Sequence, residues 1–405
     1  MAGDRTWAVG AGVVTATAAA AAGVRWMWRH QDALMLRPPL NEWTFTHMSS
    51  LLPSERVPRA ARPSVLPRAP RALDLTYAWD GATHTLSDLH VRTRTTGFAV
   101  LHRGQLVHEA YPGRFAAPHR RFQLFSLTKS VTSALLGIAL EDGAIGSTDD
   151  KVVAYCPHLA GSAFDGPSIE DLLHMTSGAG GTEDYEDPDS PVNRLMRAVT
   201  GQRGTVLEAV RSVLPHSRPG TRFNYSTIDT QVLGWVLEAA TGRTLAQYAA
   251  ERLWGPIGAE SDAYYALSRG LPRTAVGGGS FNATVRDLAR FGLLMARGGQ
   301  WHGTQVVPRW WVERSHGAGL PHLEVGALGE GHPTGYGYSN QWWTLGGPHR
   351  AFTGLGIYGQ FLWIDPVADV VVVKTSAWPV ADDPALDGET ATALTALVTH
   401  LAADG

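Results

Sequence analysis

The run Ser126-Leu127-Thr128-Lys129-Ser130-Val131-Thr132-Ser133-Ala134-Leu135-Leu136-Gly137-Ile138-Ala139-Leu140 constrains this chain more than any other segment. Val131, Leu135, Ile138 and Ala139 recur at helical spacing, and Gly143 supplies a stop. The segment is largely apolar all round, so the predicted helix belongs inside a domain. Lys129 sits at its start, and only three of the 34 Lys+Arg residues are lysines. Arginine is in effect never deprotonated, whereas a buried lysine can lose its proton. Serine and lysine at i and i+3 share a helix face, close enough for a neutral amine to take the hydroxyl proton. Burial would lower the Lys129 pKa, the direction a general base needs. The N–H of Ser126, at a helix start, is a candidate oxyanion donor. A serine three residues before a lysine also arises by accident, so the surrounding pattern has to carry the serine-hydrolase reading.

The chain has 405 residues, enough for one large domain or two ordinary ones, and 44% hydrophobic content implies a substantial core. A net charge of −3 gives no electrostatic case for nucleic acid. The single Cys156 excludes an internal disulfide and a Cys-based zinc site, and no His-Glu-x-x-His is present. Residues 7–24 form an apolar, alanine-rich run between Arg5 and Arg25. It fits a membrane anchor or export signal, and equally a solvent-lying helical tail on a cytoplasmic protein. The expected organisation is an apolar segment over 1–30, an extended region over 31–94, and a catalytic domain over 95–405. Within the second, the Pro- and Arg-rich stretch 53–71 is expected to be a surface connection.

A hairpin is predicted from Phe98-Ala99-Val100-Leu101, a turn at Arg103-Gly104, and Leu106 to Tyr111. A second joins Gln360–Ile364 to Val370–Thr375 around Asp365-Pro366. The stretches Ser126–Leu140, Ile169–His174, Thr227–Ala240, Thr244–Leu253 and Thr284–Ala296 are predicted helical, with a closing helix over Thr390–Leu401. Strands at both ends and helices between them imply an α+β fold, with one central antiparallel sheet and an inserted, mainly helical region. A pocket is expected between sheet and helices.

These segments resemble, in order, the landmarks of the serine β-lactamase, penicillin-binding protein and esterase superfamily. They are Ser126-Leu127-Thr128-Lys129, then Ile169-Glu170-Asp171-Leu172-Leu173-His174-Met175-Thr176-Ser177-Gly178, then Phe223-Asn224-Tyr225-Ser226, then Arg286 to Gly292 with Gly298-Gly299. Within it the chain is similar to the 6-aminohexanoate-dimer hydrolase branch, which cleaves short linear nylon oligomers. That likeness rests on Asn41 to Phe45, Asp165 to Ser168, Glu183-Asp184-Tyr185, Gln341-Trp342-Trp343, Gly354 to Gln360 and Ser376 to Pro379, over about residues 39–380. The resemblance implies a β-lactamase-like fold with Ser126 as nucleophile, Lys129 as base and Tyr225 as proton relay. It implies an oxyanion hole from the N–H groups of Ser126 and Ile357, and substrate contacts from Tyr185, Trp343, Gly356 and Ile357. Tyr185 would belong to a lid. Neither metal nor organic cofactor is implied, and the partner is a small amide or ester substrate.

Two departures separate the chain from β-lactamases and peptidases, and both are shared with the nylon-oligomer branch. Tyr225-Ser226-Thr227 lacks the Asn usual two positions after the tyrosine, and Gly354-Leu355-Gly356 lacks the Lys or His of the third motif. Gly278 falls where that branch can carry an Asn and Asp387 where it can carry a His, so cleavage of the nylon dimer itself is not implied. β-Lactamase or D-alanyl-D-alanine peptidase activity is the alternative within the enzyme class. A non-catalytic sensor on a penicillin-binding-like scaffold is the alternative outside it. Gly354-x-Gly356-x-x-Gly359 matches a dinucleotide fingerprint in letters only, since it precedes a strand and no helix follows. His174 is expected to be structural.

Overall fold

Alternation along the strands decides the layering. In the computed structural model, which describes residues 35–403 except Ala318, together with Gly23 and Arg25, seven antiparallel strands form the main sheet. They are β1 (Thr95–His102), β2 (Gln105–Ala110), β3 (Gly337–Ser339), β4 (Trp342–Gly346), β5 (Ala351–Gly356), β6 (Gln360–Asp365) and β7 (Val370–Ser376), in the order β3-β4-β5-β6-β7-β1-β2. The two predicted hairpins are therefore neighbours, joined where Val372 faces Val100 and Val371 faces Leu101. Strands β3 to β5 add three members that the sequence reading did not assign. Their short, glycine- and tryptophan-rich segments lack the alternation that marks a strand.

Ala99, Leu101, Leu362, Ile364, Val371 and Val373 enter one hydrophobic core, while Phe98, Val100, Phe361, Trp363, Val370 and Val372 enter the other. Both faces are thus covered, and every residue of β1 and β7 is buried. Four helices matter here: α1 (Thr128–Glu141), α2 (Thr227–Thr241), α3 (Val285–Ala296) and α4 (Pro384–Ala403). Helix α3 lies on one face of the sheet, and α4 with the helix Leu86–Arg92 on the other. Gly292 sets the α3 approach, because a Cβ there would stand 2.5 Å from Val371 Cγ1 and 2.8 Å from Leu362 Cδ1. Helix α1 is buried on all sides from Thr128 to Ala139, between α2, the helix Arg309–Ser315 and β5. That is the environment its apolar circumference requires.

Four local expectations are corrected. Ser126 lies in a 3₁₀ turn, Phe125–Leu127, and the α-helix starts only at Thr128. Thr244–Leu253 resolves into an α-helical piece, Leu245–Ala249, followed by a π-helical one, Ala250–Trp254. The last helix begins at Pro384 rather than Thr390, a proline being well suited to a first turn whose N–H groups are unpaired anyway. Stretch 53–71 is not solely a surface connection. Ser54–Val57 is an edge strand of a second, four-stranded sheet with Ala263–Ala266, Phe281–Ala283 and Phe122–Gln123. Pro53 and Pro58 confine that strand, since proline cannot donate to the ladder.

All but Gly23 of the apolar run 7–24 lies outside the described residues. Among those described, no helix is long and apolar enough to cross a membrane.

Candidate active site

Ser126, in the 3₁₀ turn, and Lys129, in the first turn of α1, meet in the buried interior. Lys129 Nζ lies 2.8 Å from Ser126 Oγ, 2.8 Å from Thr227 Oγ1 and 3.1 Å from the Gly278 carbonyl oxygen. The carbonyl can only accept. The Thr227 hydroxyl gives its own hydrogen to Glu183 Oε1, so toward Lys129 it also accepts. Two N–H bonds of the amine are therefore committed, and the remaining tetrahedral position faces Ser126. In the neutral amine that position can hold the lone pair, aimed at the serine hydroxyl. Ser126 is 8% and Lys129 1% exposed. Burial brings the lysine pKa from 10.5 down to about 8, with Glu183 and Asp229 opposing the shift.

Tyr225 reaches the pair from the segment before α2. Asn224 fixes that segment by donating from Nδ2 to the carbonyls of Ala179, at 3.0 Å, and Gly181, at 3.1 Å. Ser226 caps α2 by accepting from the Asp229 N–H. The Tyr225 ring stacks on Trp343 at 5.2 Å, meets Tyr338 edge-on at 5.9 Å, and carries Lys129 Nζ 4.8 Å from its centroid. Burial and the Glu183 charge push its pKa far up, while a hydrogen bond with the Ser126 hydroxyl opposes them. The phenol consequently stays protonated at neutral pH. Trp343 and Trp342 point to opposite sides of β4: Trp343 backs Tyr225, and Trp342 stacks on Phe291 in the core.

The other expected residues gather around this centre. The Tyr185 hydroxyl donates to Glu183 Oε1 at 2.7 Å, and Tyr185 feels the nearby Tyr225 and Tyr358 hydroxyls. Glu183 also accepts from the Thr227 N–H. Asn193 holds the loop from below, its Nδ2 donating to the carbonyls of Asp184, Tyr185 and Asp187. Gly354 and Gly356 let β5 press on the turn that carries Ser126: a Cβ on Gly356 would stand 2.4 Å from the Leu124 carbonyl oxygen, and one on Gly354 2.9 Å from Ser130 Oγ. Ile357 follows directly. Gly278 takes part through its carbonyl. Asp387 stands beyond the aromatic wall, accepting from the Tyr336 hydroxyl at 3.4 Å. His174 is buried and bonded to Glu170, 3.0 Å away.

Sequence reasoning missed Thr227, Glu183 as its carboxylate partner, and Asp229. Buried Asp229 accepts from the Ser177 hydroxyl at 2.9 Å, and burial raises its pKa to about 8. Thr227 follows Tyr225 by two positions, where the superfamily pattern places an Asn; asking what replaces that Asn would have found it. Neither Ser126 nor Lys129 lines the cavity of about 180 Å³ between Arg222, Phe223, His322 and His332. Among the described residues, no group of three His, Cys, Asp or Glu side chains could hold a metal ion.

The seven-stranded sheet with its helical region, and the buried helix α1 between them, define the class of protein as a β-lactamase-type serine hydrolase fold. The chain belongs to the Beta-lactamase family, whose model matches residues 83–397. It is 33% identical over 356 residues to the 6-aminohexanoate-dimer hydrolase of Paenarthrobacter ureafaciens, covering 85% of this chain and 87% of that one. A Bacillus anthracis protein provisionally named 6-aminohexanoate-dimer hydrolase superposes with a TM-score of 0.83 at 27% identity, over 91% of this chain and 96% of that one. A family VIII carboxylesterase shares the fold, with a TM-score of 0.58 at 18% identity over 77% of this chain and 96% of that one.

Proposed function

We propose that the protein hydrolyses small linear amides or esters through an acyl-enzyme on Ser126. The observation that carries this reading is the Lys129 amine, 2.8 Å from Ser126 Oγ, with Thr227 and Gly278 placed to take both hydrogens of its neutral form. Ser126 Oγ attacks the substrate carbonyl as its proton passes to Lys129. The N–H groups of Ser126 and Ile357 receive the oxyanion. The C–N or C–O bond then breaks, and Tyr225, kept protonated by burial, supplies the leaving group's proton and regains one from Lys129. Water releases the acid by the same groups in reverse. Trp343 and Gly356 bound the acyl side, and Tyr185 closes over it as a lid. The chain's 33% identity to a 6-aminohexanoate-dimer hydrolase supports a linear amide as substrate. Gly278, whose only contribution is a carbonyl already bonded to Lys129, argues for a substrate other than the nylon dimer.

A fluorophosphonate probe followed by peptide mass spectrometry tests this directly: Ser126 becomes labelled, and an unlabelled serine would refute the reading. Lys129→Arg keeps the charge but cannot accept a proton, so turnover falls by about 10²–10⁴-fold. Tyr225→Phe lowers kcat on an anilide by about 10²-fold, and an unchanged rate removes Tyr225 from the mechanism. A chromogenic cephalosporin tests the β-lactamase alternative, and its rapid hydrolysis would favour that alternative.

A further inference from the structure

We propose that Phe45, which lies before the region matched by the family model, is a positioning residue for the oxyanion hole; the inference rests on the hydrolase reading above. Two backbone N–H groups form that hole, and each adjoins a residue with left-handed backbone. Phe125, immediately before Ser126, has φ 47°, and Tyr358, immediately after Ile357, has φ 63°. Neither is glycine, and bulky side chains disfavour this region unless their surroundings hold them there.

One ring touches both. Phe45 meets Phe125 edge-on at 4.8 Å and Tyr358 at 5.0 Å, while Phe125 and Tyr358 stand 5.2 Å apart. All three side chains are buried. The backbone around Phe45 is tied to each half of the hole. The Gln123 N–H, on the nucleophile side, donates to the Phe45 carbonyl at 2.8 Å. Asn41 Nδ2 donates to the Trp378 carbonyl at 2.9 Å, and the Trp378 N–H donates to the Tyr358 carbonyl at 3.3 Å. The three-ring cluster thus sets the spacing between two strained turns that come from opposite ends of the catalytic domain. An oxyanion hole works only when its donors are aimed before charge develops. Phe45 touches no reacting atom and acts through the two residues that flank the donors.

The experiment compares the full chain with Phe45→Ala and Phe45→Leu, using a p-nitrophenyl ester and the fluorophosphonate probe, whose phosphoryl oxygen occupies the same hole. Phe45→Ala lowers kcat and the rate of Ser126 phosphonylation together, by about 10- to 100-fold. KM and the midpoint of the pH–rate profile stay at wild-type values, and Phe45→Leu gives an intermediate loss. Should Phe45→Ala lack a cooperative thermal transition, Phe45→Leu carries the comparison. Folded variants with wild-type kcat and labelling rate overturn the inference. So does a loss confined to KM, or one accompanied by a shifted pH midpoint, because the ring would then act on the pocket or on Lys129. A wild-type chain that the probe leaves unlabelled overturns the hydrolase reading itself, and the inference with it.

Discussion

Lys129 has to be neutral to accept the Ser126 proton, and its environment sets when it is. Burial costs the charged form hydration, which three hydrogen-bond partners and the Glu183 carboxylate only partly replace. With the pKa lowered to about 8, the neutral fraction grows as pH rises toward that value and saturates above it. The rate of Ser126 acylation, followed in the pre-steady state with an activated ester, should therefore rise about tenfold per pH unit below 8 and then level off. A rate that falls with rising pH over this window contradicts the assignment. Lysine is rare in this chain, and that rarity made Lys129 visible in the sequence. Thr227 and Glu183 carried no such mark, because their roles depend on which way a hydroxyl donates. That was decided only when the 183–185 loop came against the start of α2.

Helix α3 and strands β6 and β7 show the same division one level up. The helical pattern of Thr284–Ala296 and the apolar runs on either side of Asp365-Pro366 predicted the elements, but not how closely they approach. Gly292 sets that distance. Gly292→Ala gains helix propensity, yet its methyl would press on Val371 and Leu362 in a close-packed layer. Overpacking outweighs propensity here, so the substitution should destabilise by roughly 1–3 kcal/mol, read as a lower thermal midpoint with unchanged far-UV circular dichroism. A raised midpoint would mean that the sheet yields more easily than its packing indicates. The missed strands β3 to β5 belong to this scale too. Trp342, Trp343, Gly354 and Gly356 are chosen for what lies across from them, and no local periodicity survives that demand.

Across the whole molecule, the α4 side of the sheet holds a second lysine that the proposed mechanism does not use. Lys374 is fully buried on β7, with Nζ 2.5 Å from Ser376 Oγ and 5.6 Å above the rings of Phe361 and Trp378. Burial lowers its pKa from 10.5 to about 7, with Asp387 and Glu389 pulling the other way. Between those two values the unfolded chain holds a proton that the folded chain has released, so this group makes stability rise with pH from about 7 to 10.5. Lys374→Met should stabilise the protein by roughly 1–4 kcal/mol, more at pH 6 than at pH 9, in denaturant titrations at several pH values. A destabilised variant would show that Lys374 contributes more through its contacts than burial of its amine costs. Taken alone, the sequence determined the buried helix, the two hairpins and the α+β class; it marked Ser126 and Lys129 as candidates by their spacing, and Tyr225 only through the family resemblance. Periodicity and turn chemistry are local properties, and the fold elements need nothing more. The tertiary structure alone decided that the hairpins adjoin, that Thr227 and Gly278 orient the lysine, and that Phe45 lies between two strained turns. Each is a contact between residues far apart in the chain, and chain order does not encode distance.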